Sequence, residues 1–168
     1  KLLNSLNWQP DELVMFGKKI ITKRKVAWIG DSNCTYTYSG VKKEPHAWTS
    51  ELLMIKKKAE ELSKSEFNSC LLNLYHNGDE GMGWHSDDEP ELDHKAPIVS
   101  ISFGATRKFS FQHKLDKFKH TLLLESGSAL LMNPPTQKFW NHSLLKTKLP
   151  VGQRINLTFR KIRSEYES

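Results

Sequence analysis

The segment Trp84-His85-Ser86-Asp87-Asp88-Glu89 follows a glycine-rich stretch, Asn77-Gly78-Asp79-Glu80-Gly81-Met82-Gly83. In an extended backbone, side chains two positions apart project the same way, so the His85 imidazole and the Asp87 carboxylate can hold one metal ion. A second imidazole would complete a set of two His and one carboxylate on one face of the ion, which leaves coordination positions open for reacting ligands. His46, His76, His94, His113, His120 and His142 are the candidates. Spacing favours His142: Trp140-Asn141-His142-Ser143 comes after the loop Asn133-Pro134-Pro135-Thr136 and shortly before an arginine-bearing strand. A lone His in such a loop is ordinarily structural; here it accompanies the rest of a set. Taken alone, these donors would also suit zinc or manganese.

That strand is Arg154-Ile155-Asn156-Leu157-Thr158-Phe159-Arg160, in which polar and apolar residues alternate strictly. Arg154, Asn156, Thr158 and Arg160 therefore share one face. A solvated outer face would more commonly carry β-branched residues than an Asn and two Arg. The two Arg Cα atoms stand roughly 20 Å apart, and side chains each reaching about 6 Å could converge on both ends of a short dicarboxylate. Guanidinium forks donate paired hydrogen bonds to carboxylates. Asn73 and Tyr75, in Leu71-Leu72-Asn73-Leu74-Tyr75, share a face with Leu71 and add hydrogen-bonding groups, although a Tyr on a half-buried strand is also a common structural feature.

These residues need a rigid frame, and the pattern supplies one. Trp48, Leu52, Ile55, Ala59 and Leu62 recur at helical spacing, with Lys56, Lys57, Glu60 and Glu61 opposite, which predicts one amphipathic helix with a core-facing stripe. From Phe67 onward the chain breaks into short segments punctuated by Gly, Pro and Asn. Strands are predicted at Ser69 to Tyr75, Ile98 to Phe103, Lys108 to Gln112, His120 to Leu124, Ala129 to Met132 and Arg154 to Arg160. Many short strands without alternating helices argue for an antiparallel sandwich or jelly roll behind an N-terminal α+β portion.

With 168 residues the chain reads as one domain. Residues 1–66 form an N-terminal extension and 67–163 the core. Apolar runs are too short to cross a bilayer, so no membrane partner is expected. The start at Lys1, without Met or a signal-peptide apolar region, has the look of a fragment. Cys34 and Cys70 match no metal or redox spacing and read as two buried thiols, which suits a reducing, intracellular setting: cytoplasm in a prokaryote, nucleus in a eukaryote. The net charge of +6 is unevenly spread. Lys18, Lys19, Lys23, Arg24 and Lys25 cluster in one stretch, while Asp79, Glu80, Asp87, Asp88, Glu89, Glu91 and Asp93 cluster in another. The basic stretch fits an anionic partner, nucleic acid being commonest, or equally a solvated face or a nuclear signal.

HSDDEP at 85–90, NHSL at 141–144 and RINLTFRKI at 154–162, with NLY at 73–75, resemble the AlkB-like Fe(II)/2-oxoglutarate-dependent dioxygenases, a family of nucleic-acid dealkylation enzymes. The resemblance runs from about Phe16 to Ile162. It implies an α+β, mainly β fold: a double-stranded β-helix (jelly roll) at 67–163, with the helix-containing extension at 1–66 folded over its mouth as a nucleotide-recognition lid. His85, Asp87 and His142 match the family's iron ligands. Arg154 matches the residue that pairs with the distal carboxylate of 2-oxoglutarate, assisted by Tyr75 and Asn156, while Arg160 and Asn73 match groups near its iron-chelating end.

The implied cofactor is Fe(II), with 2-oxoglutarate and O2 as cosubstrates. The implied reaction hydroxylates the alkyl group of a damaged base, of the N1-methyladenine or N3-methylcytosine type, and releases formaldehyde, succinate and CO2. The implied partner is alkylated DNA, single- or double-stranded, with RNA an alternative, and the chain is expected to be a monomer. Tyr38, in Thr35-Tyr36-Thr37-Tyr38-Ser39-Gly40, matches an aromatic that stacks on a flipped base; Tyr36 and either Asp88 or Glu89 are assigned polar contacts. Met15-Phe16-Gly17 resembles a finger that probes the duplex, with Phe16 at its tip. Two rivals stand beside this reading: an RNA demethylase of the same family, and a non-catalytic jelly-roll reader of modified nucleic acid.

Overall fold

The computed structural model describes residues 1–15, 17–34, 36–38 and 41–163, the side chains of 13–15, 36–38 and 41–43 excepted. In chain order the elements are α1 (Leu2–Ser5), β1 (Gln9–Met15), β2 (Lys18–Gly30), β3 (Tyr36–Tyr38), β4 (Val41–Lys43), α2 (Ser50–Ser63), β5 (Ser69–Tyr75), β6 (Met82–His85), β7 (Ile98–Gly104), β8 (Arg107–His113), β9 (Lys119–Leu124), β10 (Ala129–Met132), α3 (Thr136–Phe139), β11 (Trp140–Leu144) and β12 (Arg154–Arg160). A six-stranded sheet runs β1-β2-β5-β12-β7-β10 and a four-stranded sheet runs β6-β11-β8-β9. The eight strands β5 to β12 divide between these two sheets as a double-stranded β-helix, and β1 and β2 extend the larger sheet at one edge. The segment before residue 67 is therefore partly continuous with the core rather than wholly a cover over it.

The parity of β12 and β5 organises the molecule. Their register sets Arg154 opposite Tyr75, Asn156 opposite Asn73 and Arg160 opposite Ser69. Leu72, Leu74, Ile155, Leu157 and Phe159 face the other way, where they form the main core with Leu52 and Ala59 of α2. The larger sheet thus buries its apolar face under the helix and turns its polar face inward, between the sheets. Truncating fully buried Leu52 to Ala would cost about 2–5 kcal/mol.

The helix is set by its cap: the Thr49 side chain accepts from the Leu52 backbone N–H at 3.3 Å, and Lys64 ends the helix in the left-handed region. Trp48 stands ahead of the cap, not on the helix, and stacks on Phe159 with ring centroids 6.3 Å apart. Leu62, expected in the buried stripe, is 51% exposed. Ten residues at roughly 100° each leave it about 80° from the direction of Leu52, at the stripe's edge.

Strands β5, β10 and β12 have the bounds read from the sequence, β7 and β9 differ by one residue at one end, and β8 is one residue longer at each end. The basic stretch is itself a strand, β2. Alternation there puts Lys23 outward and Arg24 inward, so Arg24 is only 4% exposed and does not belong to the basic face. Cys34 and Cys70 are both buried free thiols. Among the described residues, no helix is long and apolar enough to cross a membrane.

Candidate active site

Three donor atoms converge between the sheets. His85 ends β6, and β11 runs antiparallel beside it with His142 directly opposite. His142 was expected in a loop but lies on a strand, and the ladder fixes its reach toward His85. Asp87 follows two residues beyond β6. Its Oδ1 lies 3.6 Å from His85 Nε2 and 3.9 Å from His142 Nε2, and the ligand atoms of all three residues fall within 4.8 Å of one another.

Their protonation suits a cation. His85 Nδ1 lies 2.8 Å from the Gly83 carbonyl oxygen. A carbonyl can only accept, so Nδ1 carries a hydrogen and Nε2 is the ring nitrogen turned toward the cluster and left to bind a metal. Burial pushes His142 down to about 4, against the pull of Asp87, with His85, Arg160 and Lys114 pushing it further down, so its ring is neutral at ordinary pH. Burial alone would raise the Asp87 carboxyl, but Arg160, His142 and His85 outweigh it and hold the group below the usual carboxylate range. Arg160 donates to Asp87 Oδ2 at 2.7 Å, which leaves Oδ1 for the histidines.

The cluster opens into a cavity of about 410 Å³ that Asn73, Tyr75, Arg154, Asn156 and Glu89 also line. Arg154 is 2% exposed, yet among the described residues it meets no carboxylate; its Nη2 donates to Ser102 Oγ at 2.9 Å and Asn156 Oδ1 at 3.0 Å. Burial lowers it to about 10, with Tyr75 raising it and Arg107 lowering it further. The Nε of Arg154 and the Oδ1 of Asn73 are buried without hydrogen-bond partners among the described residues. A guanidinium buried without a counter-ion costs several kcal/mol, which an anionic ligand offsets.

The model of the 2OG-Fe(II) oxygenase superfamily matches residues 1–160. The chain belongs to that superfamily. Within it the chain is AlkB-like. It is 42% identical over 156 residues to mouse DNA oxidative demethylase ALKBH2, an overlap that covers 88% of this chain and 65% of the relative. It is 38% identical over 151 residues to human alpha-ketoglutarate-dependent dioxygenase alkB homolog 3, covering 83% of this chain and 51% of the relative. The chain thus spans about half to two thirds of the length of these curated relatives. A solved chain of OsALKBH1 superposes with a TM-score of 0.63 at 18% identity, covering 90% of this chain and 80% of that one, and shares its fold.

The chain has side chains that fit the cofactor and cosubstrate of its superfamily. Two imidazoles and an ionised carboxylate form the facial donor set of a non-haem Fe(II) site, and the uncompensated Arg154 beside them suits a carboxylate of 2-oxoglutarate. The dicarboxylate clamp expected from strand parity is altered at one end, because Arg160 is already engaged with Asp87.

The cavity gathers most of the residues read from the sequence, but not all. Asp88 is exposed and lines a separate cavity behind Asp87, so Glu89 is the acid that reaches the main one. Phe16 and the side chains of Tyr36 and Tyr38 lie outside the described residues. The sequence reading missed Arg24, Asp11, Trp28 and Met82. Arg24 pairs with buried Asp11 on β1 and donates to Met82 Sδ at 2.9 Å. Once β2 is known to be a strand, Arg24, Val26 and Trp28 share the inward face, and that parity was the available signal.

Proposed function

We propose that this chain is the catalytic part of an oxidative demethylase that removes alkyl groups from damaged DNA bases of the N1-methyladenine or N3-methylcytosine type. The observation that carries the reading is the placement of a buried, uncompensated Arg154 in the same cavity as the His85, Asp87 and His142 donors. The identity to relatives named as DNA oxidative demethylases supports DNA as the substrate. The two reduced, buried thiols support an intracellular setting.

In this reading His85, Asp87 and His142 hold Fe(II), and the metal with 2-oxoglutarate and O2 supplies the oxidising chemistry that hydroxylates the alkyl group. Arg154 holds the distal carboxylate of the cosubstrate through its unused N–H. Tyr75 stands against that guanidinium, its ring centroid 5.6 Å from the Arg154 Cζ, and Asn156 accepts from it. Asn73, whose carbonyl oxygen has no hydrogen-bond partner among the described residues, faces the cosubstrate from the neighbouring strand. Arg160 keeps Asp87 ionised and fixes which of its oxygens meets the metal.

A damaged base leaves its stack to reach this depth, helped by the weakened pairing that alkylation of its Watson–Crick edge causes. Trp28, Met82 and Trp84 offer it apolar and aromatic surface, and Glu89 can accept from an exocyclic amine. Phe16, Tyr36 and Tyr38 remain assigned to the duplex-probing finger and the lid.

A lesion panel tests the proposal. The protein is given Fe(II), 2-oxoglutarate and methylated oligonucleotides as single-stranded DNA, duplex DNA and RNA, and formaldehyde and succinate are measured. Stoichiometric release from methylated DNA is expected. Release from RNA alone would overturn the substrate assignment, and binding without release would make the chain a reader.

A further inference from the structure

Asp87 sits in an unusual mechanical position. The strand β6 stops at His85, so residues 86–88 have no ladder to hold them. Cavities of about 470 and 410 Å³ both border this segment, and Asp87 lines both. Packing alone holds a segment that borders two cavities less firmly, since voids leave side chains without contacts there. Polar ties add to its hold.

Arg160 supplies one of these, on the carboxylate. The other ties hold the backbone and its neighbour, and they come from residues 114 and 137. The Asp87 backbone N–H donates to Gln137 Oε1 at 2.9 Å, across 50 residues of sequence. The Gln137 amide is turned that way by its own Nε2, which donates to Met132 Sδ at 3.5 Å. Lys114, just past the end of β8, then ties both partners together: its Nζ donates to the Gln137 carbonyl oxygen at 2.8 Å and to Ser86 Oγ at 3.0 Å. Gln137 lies on α3, which leads directly into β11 and His142. One side chain thus links the segment bearing the carboxylate donor to the element bearing the distal His.

We propose that Gln137 is a positioning residue for the metal site, locking Asp87 in register with His142, and that Lys114 braces it. Neither residue touches the donor atoms; both act through the Asp87 backbone. The inference rests on the reading of His85, Asp87 and His142 as a metal site. Without the Gln137 acceptor the Asp87 N–H is left to the rear cavity, the segment relaxes toward it, and the carboxylate no longer converges with the two imidazoles.

The test is Mn(II) affinity of the metal-free protein, by calorimetry without cosubstrate, for the parent, Gln137→Met, Gln137→Glu and Lys114→Met. Met keeps the length of Gln and removes the acceptor; Glu keeps an acceptor oxygen. Loss of an outer partner of a metal ligand weakens binding by about tenfold to a hundredfold, and that loss is expected for Gln137→Met, with a smaller loss for Lys114→Met and substantial recovery in Gln137→Glu. The Mn(II) electron paramagnetic resonance spectrum should broaden in Gln137→Met as the donor set loses definition. Parent-like affinity and spectrum in Gln137→Met overturn the proposal. If that variant does not fold, parent-like affinity in Lys114→Met overturns it. No Mn(II) binding by the parent would instead overturn the metal-site reading beneath it.

Discussion

His142 faces His85 across the β6–β11 ladder, their rings 4.3 Å apart between centroids and inclined at 67°. The edge-on arrangement lets both Nε2 atoms point at the Asp87 carboxylate without the rings colliding. It also makes the place of the second imidazole a property of the sheet, since the pairing of β11 between β6 and β8 fixes the backbone that carries His142.

Replacing His142 should therefore remove function without undoing the fold. His142→Ala leaves one imidazole and one carboxylate, too few protein donors to hold the facial site. The expected outcome is loss of succinate release by at least about a hundredfold, together with weaker Mn(II) binding. Far-ultraviolet circular dichroism should match the parent, because Phe109 and Phe111 still pack the ladder around the vacated ring. Retained turnover would show that the donors are misassigned.

The same burial makes stability pH-dependent. Unfolded, His142 titrates at about 6.5; folded, burial holds it at about 4. Between those values the unfolded chain takes up a proton that the folded protein refuses. Stability of the metal-free protein from this group is full above about pH 6.5, declines as pH falls toward about 4, and loses nothing further below, a total on the order of 3 kcal/mol. Asp87, held below the usual carboxylate range, adds its own loss at lower pH still. Urea unfolding of the parent and of His142→Gln across this range checks it: the parent's curve should fall relative to the variant's. Parallel curves would rule out a buried neutral His142.

How much of this was legible beforehand follows from the range of the interactions. In β12 the signal is local and strict, one polar and one apolar residue in turn, so its bounds and its inward face could be read directly. His142 could be named from its company but not placed, because β11 shows no alternation and is held by pairing with distant β6 and β8. The pairing of Arg24 with Asp11 was invisible for the same reason. Five lysines and arginines near one another look like a charged surface until β2 is paired and parity turns one of them inward. Gln137 carries no motif at all, and its role appears only when α3 is brought against residues 86–88.

The Asp11–Arg24 pair makes a separate stability prediction. Both side chains are buried, and Arg24 faces the cavity. Asp11→Ala strands a guanidinium in poor solvent and should destabilise the protein by about 3–5 kcal/mol. Adding Arg24→Met to that variant should recover much of the loss, since an apolar side chain of similar length needs no counter-charge. A cycle of urea unfolding measurements on the parent, both single variants and the double variant gives the coupling. Additive losses would mean that the two residues act independently.

Glu89 and Asp88 separate by position. Glu89 lines the main cavity, while Asp88 is exposed, accepts from Ser86 Oγ at 3.1 Å and lines the rear cavity. Glu89→Ala should raise KM for a methylated oligonucleotide by about tenfold, the scale of one lost hydrogen bond to a polar group. Asp88→Ala should raise it far less. The reverse order in steady-state kinetics would assign the base contact to Asp88.

Arg154→Lys tests the cosubstrate site most selectively. Lysine keeps the charge but not the planar fork, and it cannot bond Ser102 and Asn156 while also presenting an N–H to a carboxylate. Since the lost contact holds 2-oxoglutarate in the ground state and throughout the reaction, KM for 2-oxoglutarate should rise, by about tenfold or more, while kcat changes much less. Mn(II) affinity without cosubstrate should stay near the parent's, because Arg154 is bonded to none of the three donors. Equal falls in kcat and in metal affinity would place Arg154 in the support of the metal site instead, and the uncompensated guanidinium would then need another anion.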